Sequence, residues 1–591
     1  MKKQRSFLLL IVVLLSAHLA SAQKGGLSIE YSVSLSDPAK QQFHVTTTIR
    51  NINQPRLDLS LPTWTPGWYT IENYAKNLLR FRVTDPSTGK IVRHTMSKKQ
   101  TWNVDTRGLN EIKIDYDYQA LVLALNQAKI AKDFAFFTGV ELFLEPVGHR
   151  DRPSTVRFSV PQGWKIMTAL KETADPTIFT AENYDVLVDA PVELGNFDVT
   201  RFEVEGKPHY FVATPAGTFN KEKSAKFVDM LAKVASAHSK MFGGLPYEKY
   251  VYFYFFAPPE SNASGALEHL NSFVAFAPTG ERAQPEQLIG TASHEFFHLW
   301  NVKRIRPAEM WPYDYSRENE SPLLWVSEGF TNYYGVVGVY RAGLMSENDF
   351  LQRAAGAASG IEGSEARHYI SPAESSVSTW IGYDSPTAFG ISYYTQGQNL
   401  AALLDLSIRH DTGGTSSLDD VFRALHAEHY RRGRGFTTED LIRIINRIAK
   451  KDYREFFDRY VFWTDVPDYD RIFGYAGYRL EKKKQQGPEF GFSVRGRNGG
   501  LMVNAVEPQS PAANAGLEVG DVIVKINGES PLNAALGAFA GKTITLRVSR
   551  GGVEKEVPMK VGVREYTDIS LVSVDRPTAE QIKIREGWLK R

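Results

Sequence analysis

Thr291–Pro307, TASHEFFHLWNVKRIRP, decides the fold of the segment around it. Its centre is His294-Glu295-Phe296-Phe297-His298. Residues four apart share a face of an α-helix, so both imidazoles reach one metal ion. Glu295, next to the first histidine, is placed to address a water on that ion. The pattern suits a zinc hydrolase, in which metal and carboxylate together activate water. With 13 histidines in 591 residues, a chance match is expected on the order of hundredths per chain. The pentad alone still admits an accidental surface helix or a structural metal site, so the rest of the chain must supply a third ligand, an oxyanion donor and a substrate grip.

The length calls for several domains rather than one core. Composition is that of a globular protein: 42% hydrophobic, 12% aromatic and 23% charged. The net charge of +2 gives no reason to expect nucleic acid or an anionic membrane surface as partner. Residues 1–22 read as a signal peptide: Lys2, Lys3 and Arg5, then the apolar run Phe7–Leu15, then Ala20-Ser21-Ala22 as a cleavage site. Without them the chain has 66 basic and 67 acidic residues. The apolar run is short for a bilayer span, and no other stretch qualifies. The expectation is therefore a soluble exported protein with no membrane span after cleavage, periplasmic if the source is Gram-negative; an uncleaved anchor is the alternative. With no cysteine at all, disulfides and thiolate ligands are excluded.

Residues 23–200 show short alternating segments, such as Leu27–Leu35, Gln42–Ile49, Glu111–Tyr118 and Thr155–Val160. Period-two alternation with β-branched and aromatic residues predicts an N-terminal β-sandwich-like domain. Its loop Pro62–Tyr69, PTWTPGWY, is expected to pack against the next domain or to touch substrate. Residues 201–481 are mainly helical behind a small sheet. Phe219–Phe242 has helical spacing, and Tyr250–Phe256 reads as a buried strand. Further helical patterns cover Leu323–Tyr340, Gln396–Ile408, Leu418–His429 and Thr438–Arg459. Residues 482–487, KKKQQG, read as a linker. A compact unit over 488–565 follows, with a short helix near Ser510–Leu517, the strand in GDVIVKING and a hairpin turning at Gly551-Gly552. Residues 566–591 form a tail without an assigned role. The fold class is multidomain α+β.

A third ligand is needed, and in such sites it is usually a carboxylate. Glu328, in WVSEGFTNYY, stands inside an apolar, aromatic helix where an acid is costly unless paired or metal-bound. Glu318 and Glu320 fit surface acids better. Asn332, one turn on, either orients a ligand or faces solvent. Tyr393 and Tyr394 open another apolar helix; position alone leaves them balanced between an oxyanion donor and core aromatics. Glu268, in Gly265-Ala266-Leu267-Glu268-His269, is either an anchor for a substrate α-amine or a solvated loop acid, and the residues alone favour the loop acid.

Together HEFFHLWNVKRIRP, WVSEGFTNYY, YYTQG, GALEH, DAPVELGNF, SLDDVFRAL and GDVIVKING resemble the M61 metallopeptidases, the glycyl aminopeptidase family within the gluzincins, over nearly the whole mature chain. The resemblance implies a thermolysin-like catalytic domain and one zinc ion per chain on His294, His298 and Glu328, with Glu295 as general base. It implies Tyr394 as oxyanion donor, although Gln396 replaces the usual lysine of Tyr-x-Lys-Gly. GALEH is similar to the Gly-Ala-Met-Glu-Asn exopeptidase motif, departing at Leu267 and His269; it implies Gly265 and Glu268 at the substrate and turns the reading of Glu268 towards amine anchor. A preference for N-terminal glycine or alanine is also implied. The last unit resembles a PDZ domain, which implies a C-terminal peptide ligand laid along Gly491-Phe492-Ser493-Val494; a unit that packs and binds nothing is the alternative. The expectation is an exported zinc aminopeptidase acting on peptides. The competing readings are a PDZ-assisted endopeptidase and a non-catalytic peptide-binding adaptor.

Overall fold

The computed structural model describes residues 26–257, 265–280, 283–382, 391–497, 500–531 and 535–590. The expected signal peptide, residues 1–22, lies outside the described residues. The chain divides into two units: residues 1–196 with 315–317, and the remainder.

The first unit is built of β-sheets. In its seven-stranded sheet, Ser28–Ser34 pairs antiparallel with Gln42–Arg50 and parallel with Ser154–Ser159. Alternation decides the faces. Ile29, Tyr31 and Val33 are buried, as are Phe43, Val45 and Ile49 on the neighbouring strand Gln42–Arg50, and Ile112, Ile114, Tyr116 and Tyr118 on the strand beyond it. A register slip of one residue would turn these side chains to solvent. Sheets of five and four strands complete the unit. Trp64 and Tyr69 of the aromatic loop are buried, and the Trp64 ring lies 6.3 Å from that of Tyr315 in the same unit.

The second unit carries the pentad. Its sheet has the order β1–β2–β3–β5–β4, where β1 is Asp198–Val204, β2 Lys207–Thr214, β3 Tyr250–Ala257, β4 Ala266–His269 and β5 Ser272–Pro278. β3, YVYFYFFA, is parallel to both neighbours and buried on both faces, which is why it reads as a continuous apolar run. GALEH is therefore not a loop: β4 pairs antiparallel with β5 as the sheet's edge strand. Helix α1, Lys221–Phe242, runs from the Asn220 cap to Gly243 in the left-handed region. The helices that matter next are α2 (Pro285–Phe297), α3 (Thr331–Arg341), α4 (Glu347–Glu362) and α5 (Tyr393–Asp411). The expected helix Thr438–Arg459 is two, Thr438–Ala449 and Arg454–Tyr460, because Lys450 adopts φ 57° and ends the first.

The PDZ-like unit is a five-stranded antiparallel sheet from Phe492–Arg497 to Val553–Lys560 around Val503, Leu517, Ile523, Ile544, Leu546, Val548 and Met559. Asp521 is buried and takes two bonds from Arg550, at 2.6 and 2.7 Å, which fixes the turn before GDVIVKING's strand.

Two expectations fail around this unit. KKKQQG is no linker: it lies within the strand Tyr478–Glu489, which pairs with Gly562–Ser573 from Tyr478↔Ser573 to Glu489↔Gly562. Most of the ribbon's side chains are exposed, so it carries no period-two apolar signal. Nor is the tail without a role. Helix α6, Ala579–Trp588, packs against α5 in the helical core of the second unit. Trp588 is buried and its indole donates to Tyr333 Oη at 2.9 Å; that hydroxyl donates to Asp405 at 2.7 Å.

Candidate active site

Helix α2 begins with Pro285 at its first turn and ends at His298, whose amide bonds His294 O at 3.3 Å. The two imidazoles share a face, Nε2 to Nε2 3.0 Å apart. His298 Nδ1 lies 2.6 Å from the carbonyl of Asn301. A carbonyl only accepts, so Nδ1 carries the proton and Nε2 of the neutral ring is free to ligate.

Glu328 arrives from a second element. It sits in a π-helical turn, Trp325–Phe330, that leads into α3. Such turns misalign carbonyls with their usual amide partners. Here Asn301 covers them: its Nδ2 is 2.9 Å from Val326 O and 3.1 Å from Ser327 O, while Thr331 Oγ1 donates to Ser327 O at 2.7 Å. One asparagine thus ties the turn that bears Glu328 to the chain just past His298, which it also fixes. Glu328 Oε2 is 3.2 Å from His298 Nε2 and 3.6 Å from His294 Nε2.

Small residues bring the helices together. A Cβ on Gly335 would lie 3.2 Å from His294 Cα, and one on Gly338 would strike His238 and Ser293. A Cβ on Gly397 would lie 2.0 Å from Trp325 O, and one on Gly329 2.3 Å from Gly397 Cα. α5 therefore crosses the π turn backbone to backbone. This crossing sets Tyr394, three residues earlier, with its ring 6.2 Å from that of His294 at an interplanar angle of 22°. Tyr393 is buried instead, 3.3 Å from Thr379 Oγ1.

The residues fit a zinc ion. Tetrahedral zinc with arms of about 2.0–2.1 Å needs ligand atoms about 3.3 Å apart, and the three edges here are 3.0, 3.2 and 3.6 Å. The charge balance asks for a cation too. Glu268, Glu295 and Glu328 are all buried, and ligand atoms of Glu268, Glu295 and His298 lie within 4.8 Å of one another. Burial pushes both Glu268 and Glu295 above the usual carboxylate range. Burial acts to lower His298, but Glu328 and Glu268 beside it prevail and push it up to about 10. Burial likewise acts to raise Glu328, but the two imidazoles hold it at about 2.

Two carboxylate oxygens, Glu295 Oε2 and Glu268 Oε1, have no hydrogen-bond partner among the described residues. Glu268 is 3% exposed, so the solvated loop acid is ruled out by its burial on β4. Gly265 precedes β4 with φ 95°, a conformation that suits glycine. Asn332 lies against His294, and both line a cleft of about 730 Å³. Sequence reading gave no role to Asn301, Thr331 or Arg304. Arg304 is buried and binds the carbonyls of Leu270, Leu299 and Pro246, holding the turn between β4 and β5 to the end of the metal helix. The available sign was polar residues in a stretch, LWNVKRIRP, that is otherwise apolar and buried.

Family models match three segments: a Peptidase M61 N-terminal domain over residues 30–196, an M61 glycyl aminopeptidase over 287–400 and a PDZ domain over 488–561. The chain belongs to the M61 peptidases. The M61 glycyl aminopeptidase segment spans both histidines of the pentad and Glu328. Among solved structures, an aminopeptidase N family protein from Idiomarina loihiensis is 23% identical and has a TM-score of 0.80, with 95% of this chain and 100% of that one covered; it shares the fold. An M1 zinc metallopeptidase from Deinococcus radiodurans is 16% identical with a TM-score of 0.44, over 72% and 91% of the two chains. Of the curated relatives, a probable CtpA-like serine protease of Staphylococcus haemolyticus is 24% identical over 29% of this M61 chain, and a probable periplasmic DegP-like serine endoprotease of Pseudomonas fluorescens 34% over 15%. The M61 chain covers only 35% and 20% of their respective lengths.

Proposed function

We propose that this M61 peptidase is an exported aminopeptidase that removes small N-terminal residues, glycine or alanine, with one zinc ion held by His294, His298 and Glu328. The observation that carries the reading is the convergence of three ligand atoms 3.0–3.6 Å apart beside two unpartnered buried carboxylates. When bound, zinc supplies Lewis acidity and makes water acidic near neutral pH.

The chain's own groups do the rest. Glu295, its proton affinity raised by burial, takes the proton of the attacking water and returns it to the leaving amine. Tyr394 donates its phenolic hydrogen to the oxyanion as charge develops there. Glu268 pairs with the substrate's α-ammonium, a charge-assisted contact made strong by its buried setting. β4 pairs on one side only among the described residues, so its free edge suits an extended peptide entering past Gly265.

Export rests on the residues 1–22 pattern, and no described helix is long and apolar enough to cross a membrane. The PDZ unit binds a C-terminal peptide along its own edge strand, Phe492–Arg497. That unit also favours a second reading, an endopeptidase whose substrates are presented by the PDZ domain. A panel of free and N-acetylated peptides varying in the first residue, with and without chelator, separates the two. The aminopeptidase cleaves only free N-termini, fastest after glycine or alanine, and only with metal; equal cleavage of blocked peptides establishes the endopeptidase.

A further inference from the structure

Away from the metal centre, unpartnered buried polar atoms gather around one small cavity. Glu362 Oε1, Arg367 Nε, Gln396 Oε1 and Asn399 Oδ1 each lack a hydrogen-bond partner among the described residues. All four residues line the same cavity of about 40 Å³, which has room for about three waters. Gln396 and Asn399 are 5% and 2% exposed. Leaving four such atoms bare costs on the order of 1–3 kcal/mol each, so the cavity is built to be filled.

The neighbours fix what each atom offers. Gln396 Nε2 donates to the carbonyl of Ile370 at 3.2 Å, and Asn399 Nδ2 to Tyr469 Oη at 3.2 Å. With both amide nitrogens engaged, the amide oxygens are the free ends. Glu362 and Arg367 approach each other only to 3.9 Å, and each keeps one atom unspent. The cavity's unpartnered atoms are therefore three acceptors, one of them anionic, and one guanidinium donor; the carboxylate of Asp465, also in the lining, is engaged by Arg459 at 2.8 Å, and the Tyr469 hydroxyl by Asn399. Ile370, Leu400 and Trp463 supply apolar wall.

A bare metal cation would have to sit beside the charge of Arg367. An anion would meet three acceptor oxygens. The complementary occupant has an ammonium for the oxygens and a carboxylate for the guanidinium, on the shortest possible frame. We propose that this cavity is a binding site for a free small amino acid, of the glycine or alanine class. The ligand class follows from the unpartnered atoms and the size of the cavity, and stands whether or not the aminopeptidase reading holds. The site lies on α5, Gln396 being two residues on from Tyr394.

The test is calorimetric titration of glycine into the full-length protein, with and without prior chelation of metal. Glutamate 362 and arginine 367 are each about one-fifth exposed, so Glu362→Met and Arg367→Met are expected to fold, and circular dichroism checks that they do. Glycine binds at one site in the millimolar range, chelation leaves that binding intact, and each variant weakens it at least about tenfold. Leucine, methylamine and acetate bind at least about tenfold more weakly than glycine, the first for size and the others for want of one charge. Absence of heat up to about 50 mM glycine would mean that only water fills the cavity. Heat that disappears on chelation, or that both variants leave unchanged, would place the binding elsewhere. Any of these outcomes overturns the proposal.

Discussion

Gly397→Ala perturbs the crossing that positions Tyr394 without touching any proposed catalytic side chain. The added Cβ lies 2.0 Å from Trp325 O and 2.8 Å from Gly329 Cα. Both obstacles are backbone, so no rotamer change relieves them, and the π turn and α5 must separate by about 1 Å to restore van der Waals contact. Overpacking of this kind costs about 1–3 kcal/mol of stability. The larger consequence is kinetic: a displacement of about 1 Å between oxyanion donor and metal costs on the order of a hundredfold in rate. Because Tyr394 is proposed to act in the transition state, the loss falls on kcat while KM changes little. The assay is steady-state hydrolysis of a glycyl peptide, with zinc content and thermal melting measured on the same preparation. Gly356→Ala, on α4, is the control: a Cβ there meets nothing within 4 Å, so stability rises by a few tenths to about 1 kcal/mol and kcat is unchanged. Wild-type kcat and melting temperature in Gly397→Ala would refute the close crossing and the positioning argument built on it.

Three further outcomes follow from the packing. Asn301→Ala removes the strap between the π turn and the end of α2, and zinc affinity measured by chelator competition should fall about 10–100-fold; unchanged affinity would show that the strap does not hold Glu328. Trp588→Ala empties a core position behind Tyr333 and should cost about 3–5 kcal/mol in denaturant unfolding of the catalytic unit, where a loose tail would cost nothing. His209 lies between Tyr252 Oη at 2.9 Å and Tyr247 Oη at 3.0 Å, and burial pushes its pKa down to about 3. Its folded pKa is below the unfolded value near 6.5, so its contribution is fully present above pH 6.5 and is lost as pH falls from there towards 3. The loss is about 2 kcal/mol by pH 5; His209→Gln should flatten that slope by one proton in urea titrations at pH 7 and 5, and an identical slope would contradict the neutral buried ring.

The candidate site was legible where its chemistry depends on local spacing. His294 and His298 needed only the helical repeat, and Glu328 stood out as an acid in an apolar run. The strands of the first unit showed because one face of each is buried. What stayed hidden depends on contacts between elements. The Gly329–Gly397 crossing has no pattern within either helix, since a glycine states nothing about what approaches it. The π turn breaks the 3.6-residue repeat by which helices are read. Asn301 draws its role from carbonyls 25 and 26 residues away. The ribbon is exposed along most of its length, and α6 buries only Ile584 and Trp588, too few to mark an amphipathic helix. Glu268 was misread from residues alone because nothing in GALEH says that β5 pairs beside it and buries it.

The central claim is that the buried carboxylate of Glu268 holds a free amino terminus beside a zinc ion activated with Glu295. The most direct measurement compares kcat/KM of a glycyl peptide with that of its N-acetylated form, in wild type and Glu268→Gln, each with its zinc content. The account predicts one zinc per chain in both proteins, a preference for the free peptide of at least about a hundredfold in wild type, and collapse of that preference in Glu268→Gln. Equal hydrolysis of free and blocked peptides by the wild-type enzyme would contradict it.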